Sequence, residues 1–201
     1  MEALKPSLRA LLLLALFIAR SISNATELAP ELGDGWHSWD VPAGEDGRRA
    51  CCYHLRDGAV GKEGCRLGPG TGGVAIDDGC TPLSDTLRVY VLMDDGDVTE
   101  IRALSSACPV TTSAPVKARG ELDVKESIAW LDRYAHAGSK LADEAVTAIA
   151  LHEDESALKA LARMVEDRGR GMELREQALF WIAHSDDEAA FAYLDRLLSA
   201  R

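Results

Sequence analysis

The chain has 201 residues, 47% of them apolar and 27% charged, with 33 acidic against 22 basic side chains and a formal net charge of −11. That is enough apolar chain for one compact domain or two small ones, and too much for a disordered polymer. The acidic balance argues against a nucleic-acid binder, which needs clustered Lys and Arg, and against docking on an anionic membrane surface.

In chain order, Lys5 and Arg9 precede an uninterrupted apolar run, Ala10 to Ala19, and small residues follow at Ser23 and Ala25. A basic start, a short apolar stretch and a small-x-small end describe a secretory signal peptide over residues 1–25, cut after Ala25. A membrane span needs about 20 apolar residues, so this run is short for one. Arg20, directly after the run, keeps an uncleaved anchor as the competing reading. The mature chain is then expected to start at Thr26, periplasmic or secreted. Loss of Lys5, Arg9 and Arg20 together with Glu2 removes a net +2 and leaves it at −13. No Cys stands at the cleavage position to take a lipid.

Residues 26–118 carry all five cysteines and most of the glycines, in short apolar runs that predict a β-rich unit. Strands are expected at Trp36–Val41, Ala50–Leu55 and Gly73–Ile76. The sharpest local signal is Leu87 to Leu104, where two β-rich runs flank Asp94-Asp95-Gly96. A three-residue loop with Gly96 left-handed sets Val91 opposite Thr99, Val89 opposite Ile101 and Leu87 opposite Ala103, giving one apolar face. A two-residue Asp95-Gly96 turn sets Val91 opposite Glu100, a poorer face, so the longer loop is preferred. TTSAPVKARGEL, near 111–122, reads as a linker to a helical unit over 121–201. There Asp123 and Glu126 resemble a capping box for a helix running to about Ala137 and stopped by Gly138. Further helices are expected at Leu141–His152, Glu155–Asp167, Glu173–His184 and Asp187–Ala200. The fold class is therefore α+β, a small disulfide-bonded antiparallel β unit followed by a helical array.

Motifs that carry chemistry are sparse. Cys51, Cys52, Cys65, Cys80 and Cys108 make an odd count, and in an oxidising compartment the expectation is two disulfides and one leftover thiol. Neighbouring Cys51 and Cys52 point to opposite faces of a strand, so they bond different partners. A zinc site from Cys51 or Cys52 with His54 and Cys65 matches no C-x-x-C pair, and no redox C-x-x-C is present. Gly68 to Gly73 formally matches G-x-G-x-x-G, but a strand-like Val74-Ala75-Ile76 follows where a dinucleotide site needs a helix. Asp94 to Asp97 and Asp77-Asp78-Gly79 read as turns, since the calcium-loop pattern is missing. The five histidines show no H-E-x-x-H, and His152 and His184 end helices where the dipole favours a cation. Trp130 and Trp181 fall in helical apolar stripes, whereas Trp36 and Trp39 also fit a sugar- or peptide-binding pair.

Residues 141–165 align without gaps to 174–198, with nine of 25 positions identical: Leu141/Leu174, Ala145/Ala178, Ile149/Ile182, Ala150/Ala183, Asp154/Asp187, Glu155/Glu188, Ala157/Ala190, Leu161/Leu194 and Arg163/Arg196. A fixed offset of 33 residues, each unit a helix, a tight acidic turn and a second helix, is the signature of stacked helical hairpins. Here the chain resembles exported bacterial HEAT-repeat-like proteins, in the short-repeat version. It departs from longer members in stopping after about two units. The resemblance implies a solenoid with a protein-interaction or scaffolding role, and with the sparse motifs above the expectation is a non-enzymatic module of the cell envelope that takes no cofactor or metal. It also implies the pairing Cys52–Cys65 and Cys51–Cys108 with Cys80 left over, because Cys80 is absent from the pattern. The rival reading is a thiol-dependent enzyme or metal-binding protein using the Cys-rich half. For a protein partner the expected face is Phe180, Trp181, Phe191 and Tyr193. Three of these replace Thr147, Ala148 and Ala160 of the first unit, aromatics the fold alone does not require.

Overall fold

Strand β1 (Gly35–Pro42) sits inside a four-stranded mixed sheet of order β10-β1-β7-β8, with β7 at Thr86–Asp94, β8 at Asp97–Ser105 and β10 at Val116–Glu121. The computed structural model describes residues 32–52, 54–56, 59–61, 65–68, 74–76 and 83–199, the side chains of 52, 54–56, 59–61, 74–76 and 154 excepted. The expected signal peptide, Cys80, most of the Gly68–Gly73 loop and the Asp77-Asp78-Gly79 turn lie outside the described residues. Residues from Leu32 onward form one compact unit.

The β7–β8 hairpin corrects the expected register. Asp94 pairs with Asp97, so the turn has two residues, and Asp95 and Gly96 both take positive φ, at 52° and 81°. That is the mirror-image turn which matches strand twist. A bulge follows, between the Met93–Val98 and Leu92–Glu100 pairs. The one extra residue restores the parity that the short turn alone would break, so Val91 meets Ile101, Val89 meets Ala103 and Leu87 meets Ser105. One apolar face results by a route the three-residue loop did not anticipate.

The stretch expected as a linker supplies β10, paired parallel to β1. Its Lys117, Arg119 and Glu121 are the charges an exposed edge strand uses against further pairing. Three short pairs complete the β structure: β2 (Ala50–Cys52) with β6 (Val74–Ile76), β3 (His54–Arg56) with β4 (Ala59–Gly61), and β5 (Cys65–Leu67) with β9 (Val110–Thr112).

Five described helices follow: α1 (Val124–Asp132), α2 (Ala142–Ala150), α3 (Asp154–Glu166), α4 (Met172–His184) and α5 (Glu188–Ser199). Asp123 caps α1 by accepting from the amides of Lys125 and Glu126. The helix ends at Asp132, earlier than expected, and turns lead to Gly138 at φ 88°. Asp187 accepts from the Ala189 amide at the start of α5, and Glu153 does the same for Ser156 at the start of α3. Helix α2 packs on α1, α3 and α4, and α3 packs on α4 and α5. No described helix is long and apolar enough to cross a membrane.

Alternation along the strands gives the sheet two buried faces. Trp39, Val89, Val91 and Ile101 meet the helices, where the Trp39 ring lies edge-on to Trp130 of α1 at 5.2 Å. On the reverse face Trp36, Tyr90 and Leu104 pack with Leu67, Cys65 and Cys108 in a second core. Trp36 and Trp39 are thus core residues on opposite faces, which removes them as an exposed ligand-binding pair.

Candidate functional site

Helix α4 turns Leu174, Ala178 and Ile182 inward, one residue per turn, and the same geometry carries Phe180 outward. Phe180 is 57% exposed, and its ring meets Trp181 edge-on at 5.6 Å and stacks on His184, also at 5.6 Å. Next to Trp181 lies a hollow of about 490 Å³, with Asp186 and Glu188 among its walls. On α5, Ala190 and Tyr193 are buried while Phe191 is 59% exposed.

The four expected interface residues therefore divide. Phe180 and Trp181 form one aromatic cluster, extended by His184, and Phe191 stands open on the neighbouring helix. Among the described residues no ring contact joins Phe191 to that cluster. Tyr193 is a core residue, 6% exposed, with its hydroxyl donating to the Ala162 carbonyl at 3.5 Å. It fills the space between α3 and α5 and offers no docking surface, which corrects its place on the interface.

The cysteines cluster as the reverse-face core requires. Cys51 and Cys108 are joined by a disulfide with their Cα atoms 5.4 Å apart, and Cys65 Sγ lies 3.7 Å from Cys108 Sγ. The three sulfurs fall within 4.8 Å of one another, a metal-like arrangement. Cys65, however, is also disulfide-bonded, so none of the three offers a thiolate in this oxidised state. The expected Cys52–Cys65 pairing and the His54 ligand fall on side chains outside the description.

One polar network escaped the sequence. Trp39 Nε1 donates to Ser127 Oγ at 2.8 Å, and Ser127 Oγ donates to His152 Nε2 at 2.8 Å. His152 Nδ1 donates to the Ala148 carbonyl at 2.7 Å, which fixes the tautomer. Burial lowers the His152 pKa to about 4, so it is neutral where a helix-end cation was expected. A Ser–His pair suggests a nucleophile and base. Both residues are fully buried and the far ring nitrogen is spent on a backbone carbonyl, so no substrate reaches them. No sequence signal could have found this network, because its members lie 88 and 25 positions apart.

No protein-family model, curated protein or solved structure matches this chain.

Proposed function

We propose that the chain is an exported, non-enzymatic protein-interaction module of the bacterial cell envelope, a disulfide-bonded β unit carrying a short HEAT-like stack of two helical hairpins. Export is supported by the basic start, the ten-residue apolar run and the small residues at Ser23 and Ala25. The stack is supported by the internal repeat, since α2–α3 and α4–α5 occupy equivalent positions of the 33-residue offset and α3 packs on both helices of the second pair.

One observation carries the interaction reading. Met164 and Val165 on α3 are 1% and 6% exposed, whereas their counterparts Leu197 and Leu198 on α5 are 37% and 67% exposed. Among the described residues, the positions that are buried on the first hairpin are therefore open on the second. These open positions and Phe191 on the same helix are the apolar side chains on which a partner stacks, with the exposed Phe180 of α4 as a further anchor.

Phe180→Ala/Phe191→Ala tests this face in intact cell envelopes. Both side chains are exposed, so stability should change by no more than about 0.5 kcal/mol. Crosslinking should recover a defined partner with the unaltered chain and lose it with the variant. Retention of that partner by a folded variant sinks the assignment.

A further inference from the structure

A cleft of about 920 Å³ lies away from that aromatic face, between α1 and α3. Its depth follows from residue size. Ala129 of α1 and Ala160 of α3 line it together with Ile128. In the second hairpin the residue equivalent to Ala160 is Tyr193, whose buried ring fills the corresponding space against α3. The repeat thus shows what a plugged groove looks like, and the first unit leaves its groove open.

Charge gives the cleft a preference. In a chain with a formal net charge of −11 it is lined by four basic side chains and two carboxylates. The Arg170 guanidinium lies 2.9 Å from Asp132 and 3.4 Å from Asp167, so it offsets one of the two carboxylate charges and the lining keeps a formal surplus of two positive charges. Arg170 also donates to the Ala135 carbonyl, which anchors it. Lys125, Lys159 and Arg163 remain to face a ligand. Lys159 pairs with Glu155, but both side chains are well exposed, and an exposed i,i+4 pair is worth about 0.3–0.5 kcal/mol and opens readily. The fold does not require a Lys there, because its counterpart is Ala192.

We propose that the α1–α3 cleft docks a short acidic peptide segment of a partner protein in extended form. Lys125, Lys159 and Arg163 meet its carboxylates, and small apolar side chains rest on Ile128, Ala129 and Ala160. Helix α1 has nine residues, roughly 13 Å at 1.5 Å per residue, which matches about four residues of extended chain. A long polyanion such as nucleic acid is disfavoured, since beyond the cleft it meets a predominantly acidic surface. The inference extends the protein-interaction reading to a second surface with a stated ligand chemistry.

The test is fluorescence anisotropy of a fluorescein-labelled peptide of alternating Glu and Ala, titrated with the full chain, beside its Gln/Ala counterpart and a short single-stranded DNA. Saturable binding of the Glu peptide alone, weakening as salt rises, is expected. Lys159→Glu/Arg163→Glu should lower the affinity at least about tenfold. Ala160→Trp, which plugs the groove without touching charge, should abolish binding. Equal binding of the Gln peptide, preference for the DNA, or undiminished affinity in Lys159→Glu/Arg163→Glu would overturn the proposal. Phe180→Ala/Phe191→Ala should leave the peptide affinity unchanged, which separates the two surfaces. If the Glu peptide does not bind while that variant still loses its crosslinked partner, the cleft falls and the aromatic face stands. Peptide binding with the crosslinked partner retained overturns the aromatic face alone.

Discussion

His152 sits just beyond α2 with both ring nitrogens committed, one donating to a carbonyl and the other accepting from Ser127. A helix C-terminus favours a cation by up to about 2 kcal/mol in a partly buried site. Full burial outweighs that, because the imidazolium would have to exist without water, and the pKa falls from 6.5 to about 4. A histidine whose folded pKa is depressed stabilises the fold above its unfolded pKa, and that contribution is lost as pH falls toward the folded value. The shift corresponds to about 3 kcal/mol. Denaturant unfolding between about pH 7 and pH 4 should therefore show a larger loss for the natural chain than for His152→Gln, by an amount of that order. His37, also held below its ordinary value mainly by burial, contributes in the same direction in both proteins and cancels. Equal losses would refute the neutral buried imidazole. Tyr193 was misread for a related reason. The sequence marks it as an aromatic in place of Ala160, but only the stacked helices show that its ring is used to fill a gap.

Between elements, the decisive junction is where the end of β1 meets the α2–α3 turn. Glu153 N donates to Pro42 O, Gly44 N donates to Leu151 O, and Ala43 bridges His152. The following loop comes so close that a Cβ on Gly47 would collide with the Leu151 carbonyl, which is backbone and cannot rotate away. Gly47→Ala should cost about 1–3 kcal/mol. Gly33→Ala, where a Cβ meets open space, should leave stability unchanged or raise it by about 0.4–1 kcal/mol. Thermal melts of the two variants check this, and an undisturbed Gly47→Ala would mean that the junction is loosely held. Helices α2 to α5 were legible because the apolar period acts within one turn, as do the acidic caps of α3 and α5. The β7–β8 hairpin was legible as a hairpin, but its register depends on a bulge that no short-range rule announces. Strand β10 was illegible because an exposed edge strand carries polar residues, and its partner β1 lies more than 70 positions earlier.

At the scale of the whole molecule the sheet is a shared wall. Trp36 and Tyr90 face the disulfide-bearing core, while Trp39 and Val89, on the same two strands, face the helices. The shift in composition near residues 111–122 suggested two separable halves, yet the Trp39 face of the sheet and the inner face of the helices cover each other. Loss of one core should then propagate through β1 and β7 to the other. Cys51→Ala/Cys108→Ala provides the test, since that bond closes a separation of 57 residues and its removal should cost up to about 4 kcal/mol. Trp fluorescence reports both cores, through Trp36 on one side and Trp39 and Trp130 on the other, and far-UV circular dichroism reports the helices. In the natural chain and in the variant the two signals should fall in one coincident transition, shifted to lower denaturant in the variant with its slope preserved. A helical signal that survives to higher denaturant than the fluorescence change would mean that the helices fold on the sheet without depending on it. The open row on α5 and the α1–α3 cleft would then belong to an autonomous helical array. A single transition makes them surfaces of one cooperative body, in which the disulfide layer on the far side of the sheet helps to hold both binding faces in shape.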